Sequence, residues 1–66
     1  MPLVRIELFP GRSAETKRRI AEGVTRLLEE TAGIKPSATT VIFQETAPED
    51  WFDGGRSNAA PPAQAD

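Results

Sequence analysis

Hydrophobic and polar positions alternate with a period of two from Leu3 to Leu8, with Val4, Ile6 and Leu8 on one side and Leu3, Arg5 and Glu7 on the other. That is the pattern of a strand. Phe9-Pro10-Gly11-Arg12 interrupts it, because proline donates no ladder bond and glycine permits a sharp turn. From Ser13 onward the period changes. Ile20, Ala21, Val24, Leu27, Leu28 and Thr31 recur at spacings of three and four, leaving Arg18, Arg19, Glu22, Arg26, Glu29 and Glu30 largely on other faces. The spacing predicts an amphipathic helix over Ala14 to Ala32, about five turns at about 3.6 residues each. Ser13 is its N-cap, Glu15 suits the positive end of its dipole, and Gly33 supplies the left-handed residue that closes it.

Lys35-Pro36-Ser37 makes a loop, and the β-branched and aromatic run Thr39–Glu45 reads as a second strand. Strand, helix, strand in that order favours a parallel pair with a right-handed crossover, a βαβ unit of the α/β (α+β) class. Two strands under one helix are too little sheet to stand alone. Apolar residues also fall on both faces of each strand, Leu3 opposite Val4 and Ile42 opposite Phe43, so the uncovered face calls for a partner subunit. After Glu45, Pro48 starts a turn, Trp51 and Phe52 place two large rings in a short loop where exposure is unexpected, and Asp53-Gly54-Gly55 signals a hairpin. The domain is expected over residues 1–56, with residues 57–66 an aperiodic, flexible Ala/Pro-rich tail.

Composition narrows what such a fold can do. At 66 residues the chain buries a limited fraction of its surface when it folds alone, and it contains neither cysteine nor histidine. Disulfides and thiolate metal sites are excluded, the commonest metal ligand is missing, and no serine or cysteine triad or histidine acid/base pair can be built. Oligomerisation is the remaining source of support. Lys+Arg 8 against Asp+Glu 10 gives a net charge of -2, without the positive excess of a nucleic-acid binder. Lys17-Arg18-Arg19 shares its helix with Glu15 and Glu22, which weakens such a role further. No apolar run reaches membrane-spanning length and no signal core follows a basic start, so neither a membrane nor a nucleic-acid partner is expected, and the expected location is cytoplasmic.

One unusual reagent remains. A small residue behind the initiator favours removal of Met1, which leaves Pro2 with a free secondary amine. An α-amino group titrates near neutrality, at about 7.7 to 8 in simple peptides. A secondary amine is more basic, and burial in an apolar pocket or a nearby cation lowers its proton affinity. Arg12 is a candidate for that charge: its place near a helix start is not one the dipole favours, and its fork of donors binds planar carboxylates bidentately. Trp51 is a candidate low-dielectric wall.

PLVRIELFPGRS, followed by an amphipathic helix, a β-branched strand and a W-x-x-G-G loop, resembles the 4-oxalocrotonate tautomerase family of the tautomerase superfamily, through Gly55. The resemblance implies a βαβ subunit pairing into a four-stranded sheet, dimers assembling into a homohexamer (a trimer of dimers), and sites at subunit junctions. It further implies that Pro2 is the general base moving a proton between an enol oxygen and a carbon, that Arg12 binds a carboxylate of a small-molecule substrate, and that Trp51 takes the place of an aromatic residue, commonly phenylalanine, that makes the site hydrophobic. No cofactor and no metal are implied. The best-known members carry a second arginine in the second strand, and the matching residue here is Thr40. A hydroxyl does not replace that charge, which puts in question whether 2-hydroxymuconate, a dicarboxylate, is the preferred substrate; Arg5 or Arg56 of another subunit is the alternative cation. Pro10 also stands where an acidic residue is frequent.

The leading expectation is therefore a cofactor-independent keto–enol tautomerase acting on a small 2-hydroxydienoate or enol carboxylate. A second reading keeps Pro2 protonated as an acid and lets Glu49, Asp50 or Asp53 activate water, giving a hydratase or dehalogenase of unsaturated acids. A third is a non-enzymatic oligomeric binding module, in which the apolar strand face and Trp51 serve self-association.

Overall fold

The computed structural model describes residues 2–59. The expected β1 spans Leu3–Leu8 and α1 spans Ala14–Ala32. The helix ends form as the sequence chemistry requires: the Ser13 hydroxyl accepts from the Thr16 amide at 3.1 Å, and Gly33, at φ 69°, donates to the Glu29 carbonyl at 2.9 Å. A single 3-10 turn over Pro36–Ala38 occupies the expected loop and delivers the chain to β2, Thr40–Glu45. Thr39 stays outside the ladder, its backbone amide donating to the Pro36 carbonyl.

β1 and β2 pair in parallel, with Leu3 opposite Thr40 and Leu8 opposite Glu45. A second 3-10 turn, Pro48–Asp50, leads into a hairpin of β3 (Phe52–Asp53) and β4 (Arg56–Ser57), joined by the two-residue Gly54-Gly55 turn that the sequence signals. Asn58 ties this hairpin down, its backbone amide and its Nδ2 both donating to the Trp51 carbonyl at 2.8 and 2.9 Å, and Nδ2 also donating to Asp53 Oδ2 at 2.8 Å. Ser57 and Asn58, expected in the tail, thus take part in this structure; residues 60–66 of that tail and Met1 lie outside the described residues.

The alternation in β1 holds residue by residue, with Val4, Ile6 and Leu8 half-buried and Leu3, Arg5 and Glu7 exposed. In β2, Val41 and Phe43 share the helix-facing side, while Thr40, Ile42 and Gln44 look away. Helix α1 lays Ala21, Val24, Thr25 and Leu28 toward the sheet, all half-buried. Ile20, Leu27 and Thr31, counted on the apolar stripe by spacing, are exposed. Two strands lie only about 4.8 Å apart, so the sheet is narrower than the stripe and its flank overhangs. Among the described residues no side chain is fully buried. Phe52 is 59% exposed, against the expectation that both rings of the loop would be covered, because strand alternation turns it away from its neighbour Trp51.

Candidate active site

Parallel pairing sets the geometry. Pro2 stands at the start of β1, half-buried, and its carbonyl accepts from the Thr40 amide at 3.1 Å. The residue that carries the candidate base is therefore pinned to β2 through its own main chain. At the opposite end, Leu8, Phe9, Pro10, Arg12 and Trp51 line a concavity of ≈ 530 Å³. The Phe9 and Trp51 rings meet edge to face, with centroids 4.8 Å apart and planes at 74°. Phe9, read in the sequence only as part of the strand stop, is thus a wall of this cup. The signal was available: an aromatic residue directly behind a strand, with Pro10 and Gly11 turning the chain after it.

Arg12 is the cup's single charged residue. Its guanidinium makes no hydrogen bond or ion pair to any other described residue, whereas Arg18 bonds both Glu15 and Glu22. Glu15 first, then Glu22, raises the Arg18 pKa above its ordinary value. Gly11, at φ 123°, lies in a region of backbone space that side-chain-bearing residues avoid, and it lets the chain reverse between Phe9 and Arg12. An unengaged guanidinium beside two aromatic rings, a leucine and a proline suits an anion attached to an apolar body.

The three candidate residues do not converge within one chain. Arg12 and Trp51 share the cup, but Pro2 is separated from Leu8 by the length of β1, about 20 Å at about 3.3 Å per residue. Thr40 lies beside Pro2 and away from the cup, and it pairs with Leu3 rather than with a charged residue. Arg5 is engaged by Gln44, Nη1 to Oε1 at 3.3 Å. Of the acids of the second reading, Glu49 and Asp50 lie in the 3-10 turn before the hairpin and Asp53 lies in β3, where it accepts from Asn58. Among the described residues no cluster of three or more acidic side chains could hold a metal ion, and no helix is long and apolar enough to cross a membrane.

Known proteins share this chain over most of its length. A family model described as tautomerase enzyme matches residues 2–60. A probable tautomerase of Ralstonia nicotianae is 38% identical over 56 residues, covering 85% of this chain and 86% of that protein. A 2-hydroxymuconate tautomerase of Comamonas testosteroni is 35% identical over 57 residues, covering 86% and 90%. Among solved structures, TomN, a 4-oxalocrotonate tautomerase homologue in the tomaymycin biosynthetic pathway, superposes with a TM-score of 0.79 at 45% identity, covering 85% of this chain and 86% of its own. With the parallel pair, single helix and terminal hairpin in common, the chain belongs to the 4-oxalocrotonate tautomerase family of tautomerase enzymes.

Proposed function

We propose that the protein is a cofactor-independent keto–enol tautomerase of small 2-hydroxydienoates or enol carboxylates, working at sites that join Pro2 of one subunit to Arg12 and Trp51 of another. The observation that carries the reading is the Arg12 guanidinium, unpaired among the described residues, in the lining of an apolar, aromatic cup. It fits a substrate with a carboxylate on an unsaturated body. Membership of a family that includes a 2-hydroxymuconate tautomerase supports the same reaction class.

Once Met1 is removed, the Pro2 nitrogen is a secondary amine with a usable lone pair. It takes the enol hydroxyl proton; the O–H electron pair becomes the carbonyl π bond, and the carbon–carbon π electrons shift to the terminal carbon. That carbon then takes the proton back from the Pro2 ammonium, so substrate and product differ only in where one proton and the π bonds lie, one π bond moving in a simple enol and two in a dienol. Arg12 holds the carboxylate so that the carbon meets Pro2, and the Phe9 and Trp51 rings keep water out. Apolar walls and a nearby guanidinium both disfavour the ammonium form, which suits a base at neutral pH. The oligomer in this proposal is a homohexamer built as a trimer of dimers.

Replacing Pro2 by alanine and following ketonisation of 2-hydroxymuconate or phenylenolpyruvate by ultraviolet absorbance tests the reading. Turnover should fall at least roughly 100-fold, as for loss of a general base. Unchanged turnover removes Pro2 from the mechanism. Intact-mass measurement of the wild type is the companion test, since a retained Met1 turns the Pro2 amine into an amide and defeats this chemistry.

A further inference from the structure

Three ion pairs join described residues, and two of them, Arg18 with Glu15 and with Glu22, lie within one face of α1. The third crosses from helix to sheet. Lys17, half-buried in the first turns of α1, pairs its Nζ with the Glu45 carboxylate at the end of β2, the two side chains 27% and 38% exposed against 54 to 59% for the others. Glu45 lies on the helix-facing side of its strand by alternation with Val41 and Phe43, a charged residue where the two before it are apolar. Glu45 is exposed at the end of the strand, and Lys17 pairs with it there.

The pair closes a ring of bonded links around the segment that carries Arg12. Starting from Arg12, the next residue is Ser13, whose carbonyl accepts from the Lys17 amide at 3.0 Å. The Lys17 side chain reaches Glu45, and the amide of the following residue, Thr46, donates to the Leu8 carbonyl at 3.0 Å. From Leu8 the chain returns through Phe9, Pro10 and Gly11 to Arg12. Four of the five cup-lining residues, Leu8, Phe9, Pro10 and Arg12, therefore sit on one loop whose two ends are fastened together by Lys17–Glu45. Phe9 has a second hold through Trp51, but the Arg12 guanidinium has none of its own among the described residues. Its position depends on how its loop is held.

We propose that Lys17, through Glu45, is a positioning residue: it sets the loop so that the Arg12 guanidinium stands at the rim of the cup in the attitude that receives a carboxylate. The inference rests on the carboxylate-binding role proposed for Arg12. Lys17 touches no substrate in this account.

The test uses the intact protein in two assays. The chain has a single tryptophan, Trp51, on the cup wall, so its fluorescence reports occupancy by an unreactive carboxylate such as 3-phenylpropionate without any turnover. Lys17→Met should weaken 3-phenylpropionate roughly tenfold and, with phenylenolpyruvate, lower kcat/KM by a similar factor carried mainly by KM. Lys17→Arg should restore both. In an Arg12→Ala background, Lys17→Met should change neither any further, because the group it positions is gone. An equal loss with and without Arg12 marks Lys17 as merely structural and overturns the proposal, as does a Kd unaltered by Lys17→Met. Should Lys17→Met fail to fold, Glu45→Gln, checked by circular dichroism, gives the same reading: an unchanged Kd overturns the proposal, and a roughly tenfold weaker one that disappears in the Arg12→Ala background sustains it. A wild type that binds 3-phenylpropionate but turns over no enol would remove the tautomerase reading while leaving this coupling measurable.

Discussion

Arg12 has a chemistry that its closest substitute lacks. A guanidinium presents a planar fork to a carboxylate, while an ammonium is a compact point charge that matches one oxygen at a time. Arg12 is the one cation among the described residues lining the cup, so in the proposed site recognition of the acid group falls on that fork. Arg12→Lys should therefore raise KM for phenylenolpyruvate roughly tenfold, about 1.4 kcal/mol, despite the retained charge. Steady-state kinetics at fixed ionic strength checks it, and an unchanged KM would mean that charge alone suffices. Thr40, beside Pro2, adds no second cation at the other end, so lengthening a substrate with a second carboxylate gains it no partner from that residue.

The helix is set by its first turn. Ser13 Oγ satisfies the Thr16 amide, and the Ser13 carbonyl opens the helical ladder with Lys17. Ser13→Ala should cost about 1 kcal/mol of stability, read from chemical denaturation, since an N-cap side chain is lost while the backbone link remains. Element boundaries were legible in the sequence for a physical reason: each carries its own local stop signal, Pro10-Gly11 after β1, Ser13 before α1, Gly33 after it and Gly54-Gly55 in the hairpin. Long-range facts were less so. The period of α1 marked Ile20 and Leu27 as apolar but could not say that a sheet two strands wide would leave them outside. In the same way, residue types pointed to Arg12 and Trp51, but only the folded chain brings Phe9 onto Trp51 and Lys17 onto Glu45, contacts between residues far apart in sequence.

At the scale of the molecule, a chain without a fully buried side chain among its described residues has little to hold it alone. Leu3 and Ile42 remain 56% and 37% exposed on the sheet face away from α1, and Ile20 and Leu27 on the helix flank. Covering such positions contributes about 1.5 to 3 kcal/mol for each large aliphatic side chain, so association and folding are expected to be linked. The thermal midpoint should rise with protein concentration. Ile42→Asp should shift the sedimentation profile toward smaller species, with activity falling in parallel; an unaltered profile would show that this face is not part of the assembly.

The parallel strand pair, which keeps Pro2 and the Arg12 cup at opposite ends, also has a genetic reading. In the proposed assembly, damage to the base and damage to the clamp are lesions in different halves of a shared site, carried by different chains. Pro2→Ala and Arg12→Ala proteins, each impaired by itself, should regain activity when unfolded together and reassembled. Some sites in the mixed particles would then draw an intact proline from one parent and an intact arginine from the other. Mixing without reassembly should restore nothing.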